Sequence, residues 1–352
     1  MMRMFRLALG LLALLAAFAA FGARPSAAGG TYGQRAEVHQ FIAEMVERHG
    51  FSGRELRKLF GRVRYQPAVI RSMTPPPEAP VKSWQSYRAM FVSRERIEAG
   101  ARFRERHGAA LARAAQEFGV PAEIIVAIIG VETVYGRNMG TYRMIDALAT
   151  LAFDFPRRSE FFRSELESFL LYARENGIDT FAAQGSYAGA FGIPQFMPGS
   201  YRRFAVDYDG DGRRDLNSSP PDAIGSVGNF LRAHGWEAGQ PVAAQAQVSG
   251  EAHRKLIDAG IKPVYRIADL PAYGVVIAAG AASPVEPAAL IARAEALAPE
   301  AGCALVELET PGQSPEYWVG LQNFYALTRY NRSSFYAIAV LELAREITLT
   351  GR

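Results

Sequence analysis

The hydrophobic residues in the first part of the chain recur at the three- and four-residue spacing of helices. Residues 32–63 predict two amphipathic helices that meet at a turn over residues 50–52. Ser52 suits the N-cap of the second helix, and Glu55, three residues later, completes a capping box. The pattern therefore predicts a helical hairpin at the start of the folded chain.

A proline-rich segment separates this hairpin from further helix. Residues 73–80, with the sequence MTPPPEAP, cannot continue a helix and should run extended. Helical spacing returns over residues 83–118, where Ile97, Phe103 and Leu111 are among the residues spaced for packing. We therefore place the first internal domain boundary at residue 80.

Residues 121–136, PAEIIVAIIGVETVYG, predict a short helix that is apolar on nearly all of its faces. Pro121 suits its first position, and Gly136 is placed to end it. Glu132 enters this setting with no basic residue in the preceding turn. Because burial disfavours the charged form of a carboxyl, the pKa of Glu132 should be raised, which suits a general acid near neutral pH. The alternative is a glutamate at a helix end that faces solvent.

The next helix begins with two cations. It is predicted from Arg158 to Asn176, and Arg157 precedes it. A helix dipole does not favour cations at this end. The two arginines either bind a carboxylate or ether oxygen of a ligand, or form surface salt bridges with Glu160 or Glu165.

Residues 185–201, GSYAGAFGIPQFMPGSY, combine glycines and prolines with neutral polar groups and aromatic rings. The hydrogen-bonding candidates are Ser186, Gln195 and Tyr201, and the candidate flat faces are Tyr187, Phe191 and Phe196. Neutral donors and aromatic faces are how sugars are usually held, so this segment is a candidate glycan site. An irregular turn with core aromatics is the alternative.

Residues 207–222, DYDGDGRRDLNSSPPD, follow the spacing of an EF-hand calcium loop, with Gly212 at the sharp turn. Ser218 stands at the twelfth position and cannot supply a bidentate carboxylate, so a later aspartate is needed. The predicted ligands are the carboxylates of Asp207, Asp209, Asp211 and Asp222 and the backbone carbonyl of Arg213. Hard oxygen ligands at this spacing predict calcium, and a solvated acidic turn is the alternative.

The pattern changes over residues 240–315. Short β-rich runs, PVYRI, YGVVIAAG and CALVELET, lie between turns and predict a small sheet-containing insertion. From residue 316 the chain is predicted to return to helix. Tyr330, Asn331 and Tyr336 either line a cleft or lie with their polar tips at a helix edge.

The N-terminus and the composition bear on compartment and partners. Residues 1–29 place Arg3 and Arg6 before an apolar run that ends in small residues, which predicts a secretory signal peptide; an uncleaved membrane anchor is the alternative. Without Arg3, Arg6 and Arg24 the formal charge of +4 falls to +1, which gives no electrostatic case for nucleic acid. We therefore expect a soluble, periplasmic protein with no stable membrane span after signal cleavage.

Cys303 is the single cysteine of the 352 residues. One thiol cannot form an internal disulfide, so the hydrophobic core must stabilise the fold. A hydrophobic content of 49% in a chain of this length is enough to build that core.

Several of these motifs together resemble the lytic murein transglycosylase B family. The segments that carry the resemblance are GVETVYG (130–136), DALATLAFDF (146–155), GSYAGAFGIPQFMPG (185–199), the calcium loop, DAIGSVGNFLRAHGW (222–236) and NFYALTRYNR (323–332). They occur in one order and span essentially the whole mature chain. The sequence departs from the family in two respects: the calcium loop is slightly longer before Asp222, and the membrane-anchoring cysteine of the founding type is missing.

The resemblance implies a mainly α fold of the α+β type, with a lysozyme-like core. We place an N-terminal helical domain at residues 30–80, the core at 81–239 and 316–352, and a small β-containing insertion domain at 240–315. It implies an enzyme that cuts the β-1,4 bond between N-acetylmuramic acid and N-acetylglucosamine of peptidoglycan and leaves 1,6-anhydromuramoyl ends. Glycan strands are the implied partner, and other cell-wall enzymes are compatible with that role.

Carried over to this sequence, the resemblance implies that Glu132 is the single catalytic acid. The residues that match groups lining the glycan cleft are Ser186, Gln195, Arg157, Arg158, Tyr330, Asn331 and Tyr336. It also implies a structural calcium ion at the loop and no organic cofactor.

The chemistry expected from the residues agrees with a single acid. Ordinary glycosidases use two carboxyls, whereas Asp146 and Asp154, the next two acids after Glu132 in sequence, lie among core-type residues and are predicted to brace helices. Two alternatives stay open: a lysozyme-type muramidase that uses water, and a non-catalytic, calcium-dependent wall-binding protein.

Overall fold

The computed structural model describes residues 32–74, 83–278 and 290–350. The predicted signal peptide at 1–29 lies outside these residues. So does the proline-rich boundary segment from residue 75 onward.

Helices dominate the described chain up to the candidate acid. They are α1 (Ala36–His49), α2 (Gly53–Phe60), α3 (Pro67–Met73), α4 (Trp84–Phe91), α5 (Arg94–Arg106), α6 (Gly108–Phe118) and α7 (Ala122–Thr133). The predicted hairpin is confirmed, since Gly50 ends α1 in the left-handed conformation and the Ser52 hydroxyl accepts the Glu55 N–H. The helical stretch predicted over residues 83–118 is divided into α4, α5 and α6.

The middle of the chain carries the candidate glycan segment and the candidate calcium loop. Its elements are β1 (Tyr142–Arg143), α8 (Met144–Asp154), a 3₁₀ turn at Pro156–Arg158, α9 (Ser159–Glu175), β2 (Gln184–Gly185), α10 (Pro198–Phe204) and α11 (Pro220–Ala233). Strands β1 and β2 pair antiparallel. The candidate glycan segment runs from β2 to α10, and the candidate calcium loop joins α10 to α11.

A five-stranded antiparallel sheet follows. Its strands are β3 (Ala243–Val248), β4 (Tyr265–Arg266), β5 (Val275–Ile277), β6 (Gly302–Leu308) and β7 (Glu316–Gly320), in the order β4-β6-β7-β3-β5. A short helix, α12 (Arg254–Asp258), lies between β3 and β4 in the chain. The chain ends with α13 (Gln322–Tyr330) and α14 (Ser334–Thr350). The mainly α class with a small sheet is confirmed.

The expectation of helix from residue 316 is wrong for the first six residues, 316–321. Tyr317, Trp318 and Val319 are aromatic or β-branched and suit a strand. Trp318 lies between Val306 of β6 and Gln245 of β3, so β7 is a central strand of the sheet. Helix begins only at Gln322.

The N-terminal hairpin shares its core with α8. Phe41 and Phe60 lie with their ring centroids 5.9 and 6.4 Å from that of Phe153. Asp154 accepts hydrogen bonds from the Tyr32 hydroxyl at 2.6 Å and from Arg35 at 2.9 Å.

Asp146 holds the same segment at a second point. Its carboxylate is 1% exposed and accepts the Arg64 backbone N–H at 2.9 Å, the Gln66 amide at 3.2 Å and the Arg143 guanidinium at 2.8 Å. The prediction that Asp146 and Asp154 brace helices is confirmed.

Helix α7 lies at the centre of the helical part, in contact with α5, α6, α11 and α14. Its residues from Ile124 to Val131 are all buried. Within the described chain, no single helix is long and apolar enough to cross a membrane; α6 and α7 are so only as a pair, and that pair is bent by 113°.

Candidate active site

The end of α7 fixes the position of Glu132. The helix stops at Thr133, three residues before the predicted stop at Gly136, because Val134 and Tyr135 have left-handed backbones with φ of 51° and 60°. For non-glycine residues this conformation costs about 1–2 kcal/mol each, so surrounding contacts must hold it.

Those contacts come from three directions. The Tyr135 hydroxyl donates to the Arg96 carbonyl at 3.0 Å, and a Cβ on Gly130 would lie only 2.4 Å from that hydroxyl. The Thr133 hydroxyl donates to the Ile193 carbonyl at 2.7 Å and accepts the Gly136 N–H at 2.9 Å. Glycine at position 130 is therefore needed for Tyr135 to fold back over the helix that carries Glu132.

Glu132 is half-buried, and its Oε1 accepts a hydrogen bond from the Tyr336 hydroxyl at 2.8 Å. Burial raises the pKa of Glu132 to about 7, and the bond from Tyr336 opposes that rise. Tyr336 is 1% exposed, and burial together with the Glu132 charge raises its pKa well above the ordinary value. Tyr336 therefore keeps its proton and donates to Glu132.

Two further tyrosines surround this pair. The Tyr330 ring is stacked on Tyr336 with the planes 13° apart, and its hydroxyl donates to the Pro194 carbonyl at 2.5 Å. Burial and the charge of Glu132 raise the pKa of Tyr87, on α4, to about 12. Tyr87 was missed by the sequence reasoning because it precedes Glu132 by 45 residues on a separate helix.

Glu132 opens into a cleft of about 740 Å³. The predicted residues that line it with Glu132 are Ser186, Gln195, Arg158, Tyr330 and Asn331. Tyr336 is buried against Glu132, and Arg157 is exposed and not among the described residues that line this cleft. The structure thus brings most of the predicted set together.

The segment between β2 and α10 supplies one wall. Gln195 has a left-handed backbone (φ 51°), and its side-chain amide donates to the carbonyls of Met139 at 3.1 Å and Gly192 at 2.9 Å. The Ser186 hydroxyl accepts the Ala190 N–H at 3.1 Å. Both polar groups are therefore held in place by the backbone around them.

Only one aromatic ring of this segment presents an open face. Tyr187 is 40% exposed and lines the cleft. Phe191 and Tyr201 are fully buried, and Phe196 is 2% exposed where it meets the cleft. Tyr201 donates its hydroxyl to the Arg214 carbonyl. These three rings belong to the core, as the alternative interpretation of this segment predicts.

A second carboxyl, Glu165, lines the same cleft. It is 6% exposed, and its carboxylate accepts the Gly199 N–H at 2.7 Å. The surface salt bridge between Glu165 and Arg157 or Arg158, one of the alternatives in the sequence analysis, is therefore not formed. Burial raises the pKa of Glu165, and the Gly199 N–H and the charge of Arg203 oppose this. Its position among Phe162, Leu166 and Phe169 on the buried face of α9 was the available signal.

The candidate calcium loop has the donors that a hard cation needs. One carboxylate oxygen from each of Asp207, Asp209 and Asp211 lies within 4.8 Å of the others, and all three residues are exposed. The Asp207 carboxylate also accepts the N–H groups of Gly210 and Gly212, both at 2.8 Å, which keeps the turn tight. Three clustered carboxylates fit calcium, because oxygen ligands with net negative charge suit this ion.

Asp222 lies outside that group of three. It is buried, and its carboxylate accepts the backbone N–H groups of Tyr208 at 2.6 Å, Asp209 at 3.3 Å and Asp215 at 2.7 Å. Asp222 therefore fastens both halves of the loop to the start of α11. Its predicted role as a metal ligand stays a prediction.

Comparison with known proteins gives consistent matches. The transglycosylase SLT domain matches residues 33–345. The membrane-bound lytic murein transglycosylase B of Escherichia coli (strain K12) is 41% identical over 329 residues, which cover 91% of this chain and 85% of that protein.

Two solved structures are similar along almost their whole length. The catenated lytic transglycosylase SltB1 from Pseudomonas aeruginosa has a TM-score of 0.81 and 43% identity, over 91% of this chain and all of that chain. The Escherichia coli lytic transglycosylase Slt35 in complex with calcium has a TM-score of 0.77 and 40% identity, over 92% of this chain and 96% of that chain. The chain therefore belongs to the lytic murein transglycosylase B family.

Proposed function

We propose that the protein is a peptidoglycan lytic transglycosylase in which Glu132 is both the acid and the base. The observation that supports this is a half-buried carboxyl with a pKa of about 7, held by Tyr336 at the wall of a long cleft. Near pH 7 such a group is present in both protonation states, so it can donate a proton and take one back.

The reaction uses the Glu132 carboxyl twice, first as an acid and then as a base. Protonated Glu132 donates to the oxygen between N-acetylmuramic acid and N-acetylglucosamine as the bond from C1 to that oxygen breaks. The N-acetyl group or ring oxygen of the substrate stabilises the resulting cation. Ionised Glu132 then accepts the proton of the muramoyl 6-hydroxyl, whose oxygen bonds to C1. No water is consumed, and the attacking group is already tethered to the reacting centre.

We assign the cleft residues by their chemistry. Ser186, Gln195 and Asn331 supply neutral hydrogen bonds to sugar hydroxyl and acetamide groups, and Tyr187 supplies an exposed ring face. Arg158 binds a carboxylate or the lactyl ether. Arg157 precedes Arg158 in the chain and is exposed, and it would reach a substrate only beyond the described cleft lining.

Hydrolysis is the second candidate, and Glu165 is the observation that favours it. Glycosidases that use water need two carboxyls, and Glu165 is a second carboxyl in the same cleft. Against it, one oxygen of Glu165 is occupied by the Gly199 N–H.

The mass of the products distinguishes the two reactions. Digestion of purified sacculi should give muropeptides lighter by one water than those of a hydrolase, and the Glu132→Gln protein should give none. A digest dominated by reducing ends would replace the transglycosylase with a muramidase.

We further propose that calcium binds the loop of Asp207, Asp209 and Asp211, with Asp222 and the Arg213 carbonyl completing the site. The support is the clustered carboxylates and the Slt35 structure in complex with calcium. The ion would neutralise the mutual repulsion of the three aspartates and stabilise the connection between α10 and α11. It takes no part in the chemistry at Glu132.

Murein lies outside the cytoplasmic membrane, so we infer that the protein acts there. Release as a soluble periplasmic protein requires cleavage near residue 29, whereas an uncleaved leader would anchor the protein to the membrane. The name of the Escherichia coli relative includes the word membrane-bound, which favours testing both forms. Fractionation of cells with N-terminal sequencing of the mature protein would decide between them.

A further inference from the structure

Three basic side chains, each carried by a different helix or the residue after it, lie close together in the cleft. Arg203 lies on α10, His234 directly follows α11, and Arg329 lies on α13, and all three line the cleft. We call them the basic cluster. None of them belongs to the set of glycan-binding residues assigned above.

Aromatic packing brings the basic cluster together. The His234 ring is stacked on Phe230 at 4.0 Å and lies 5.0 Å from Phe204, the neighbour of Arg203. Phe230 in turn lies 4.8 Å from Tyr330, the neighbour of Arg329. The same core rings that build the cleft wall therefore fix the positions from which the three basic side chains extend.

The charges of the basic cluster are poorly compensated. Arg203 and Arg329 form no salt bridge among the described residues, although Arg203 donates to the Gly199 carbonyl of its own helix at 3.0 Å. Among the residues that the structure describes, the acids that line the cleft are Glu132 and Glu165. Glu165 is close enough to Arg203 to feel its charge, but its carboxylate is bonded to the Gly199 N–H.

The pKa of His234 shows that the two arginines lie close to it. Burial lowers the pKa of His234, the hydrogen bond to the Phe230 carbonyl opposes this, and the charges of Arg329 and Arg203 lower the pKa further. The lowered pKa leaves His234 neutral near pH 7, so the charge of the basic cluster is carried by the exposed side chains of Arg203 and Arg329. An anion bound between these two guanidinium groups would offset their mutual repulsion, which makes this part of the cleft a site for negative charge.

The sugar rings do not supply that charge, since their hydroxyl and acetamide groups are neutral. The anion must nevertheless belong to the molecule being cut, because the basic cluster and Glu132 line one continuous cleft. In peptidoglycan, free carboxylates are carried by the peptides attached to the lactyl groups of the glycan. Arginine is suited to carboxylate recognition because its planar fork can bind both oxygens.

We propose that Arg203 and Arg329, beside His234, recognise a carboxylate of the stem peptide, so that the enzyme prefers strands whose stem carboxylates are free. This inference rests on the proposed transglycosylase function. It adds a specificity determinant that is separate from Glu132 and from the neutral glycan-binding groups.

The test uses soluble peptidoglycan strands in three forms and the full-length protein. One form has intact stems, the second has its carboxylates converted to amides, and the third has had its stems removed by an amidase, which leaves only the lactyl carboxylates. The proteins are the wild type, the Arg203→Gln/Arg329→Gln double variant and Arg202→Gln. Arg202 is a matched control, because it neighbours Arg203 on α10 but pairs with Glu175 at 2.8 Å.

The wild type should cleave intact strands with kcat/KM about five- to tenfold above that for amidated strands, and added salt should reduce this ratio. The ratio should approach one in the double variant, mainly through KM, and stay at the wild-type value in Arg202→Gln. Thermal melts would verify that both variants are folded.

Two results would overturn the inference while leaving the function intact: a wild-type ratio near one, or an unchanged ratio in the double variant. Equal cleavage of intact and stem-free strands would also reject it, because the lactyl carboxylate would then be the bound anion. Failure of the wild type to cleave any of the three forms would instead reject the proposed function itself.

Discussion

Replacing Glu132 with Gln should abolish turnover and make the protein more stable above pH 7. The pKa of this carboxyl rises from its ordinary 4.5 to about 7 in the folded protein, with burial as the main cause. As pH rises through this interval, the unfolded chain loses the proton before the folded chain does. The free energy of unfolding therefore falls with rising pH, and the wild type has lost this stability fully above pH 7.

Each pKa unit corresponds to about 1.4 kcal/mol, so the full penalty above pH 7 is at most about 3 kcal/mol. Glu132 is only half-buried, and water in the cleft reduces the penalty. We therefore compare the free energy of unfolding of the Gln variant with that of the wild type at each pH. The difference should be about 1–3 kcal/mol more in favour of the variant at pH 8 than at pH 4, where the carboxyl is mostly neutral in both the folded and the unfolded state. Turnover should fall by at least about a hundredfold, since a general acid contributes roughly 10²–10⁴-fold.

The assay is denaturant unfolding of both proteins at pH 4, 6 and 8, with cleavage of sacculi measured in parallel. Glu123→Gln is the matched control, since Glu123 lies in the first turn of the same helix, where a negative charge is favourable. That variant should gain nothing at pH 8. A stability difference between wild type and Glu132→Gln that is the same at pH 4 and pH 8 would refute the argument that Glu132 is destabilised by burial.

Three further predictions concern Tyr336, Asp146 and the candidate calcium loop. Tyr336→Phe removes a hydrogen bond that favours ionised Glu132, so the fall in kcat/KM above neutral pH should move upward by about one unit; a pH–rate profile that does not move would contradict this. Asp146→Ala leaves the Arg64 N–H and the Arg143 guanidinium without their carboxylate. Urea titrations should therefore show a free energy of unfolding lower by about 3 kcal/mol. A loss under about 1 kcal/mol would show that water replaces the carboxylate as their hydrogen-bond partner. A chelator should lower the wild-type melting temperature by several degrees, since a ligand at a hundredfold excess over Kd contributes about 2.7 kcal/mol. It should not affect the Asp211→Ala protein. Identical wild-type melts with calcium and with chelator would show that the loop is an ordinary acidic turn that binds no calcium.

The sequence predicts what depends on local pattern. The hairpin of α1 and α2, the apolar helix under Glu132 and the three clustered aspartates follow from periodicity, capping residues and spacing. The elevated pKa of Glu132 also follows, because a carboxyl on an all-apolar helix has few ways to stay hydrated.

What the sequence does not reveal depends on contacts between distant segments. Strand β7 pairs with β6 and β3. Its aromatic and β-branched residues suit a strand, but a run of five residues directly before a helical pattern does not show this pairing. Glu165 is a cleft residue because α9 packs beside α10, and its place among the apolar residues of α9 indicates burial but not the cleft that it lines. The basic cluster needs three helices that are far apart in the chain.

The calcium loop illustrates how distance along the chain misleads. Asp211 and Glu132 are 79 residues apart, and this separation alone would predict that the loop affects stability much more than activity. In the structure, however, the Ile193 N–H donates to the Leu216 carbonyl of the loop at 2.7 Å, and the Ile193 carbonyl accepts the Thr133 hydroxyl at 2.7 Å. Two hydrogen bonds through one residue thus join the loop to the residue after Glu132.

This connection has little freedom to adjust. A Cβ on Gly192 would lie 2.7 Å from the Leu216 carbonyl, so the two backbones are in close contact. If the loop opens without its ion, the Leu216 carbonyl moves and Ile193 loses one of the two bonds that fix it. Gln195 follows two residues later in the cleft wall, so disorder in the loop should raise KM for glycan before it changes the chemistry at Glu132. Chelation should therefore increase KM at temperatures well below the melting point while kcat stays nearly constant, and a fall in kcat alone would show that the loop acts on the acid by another route.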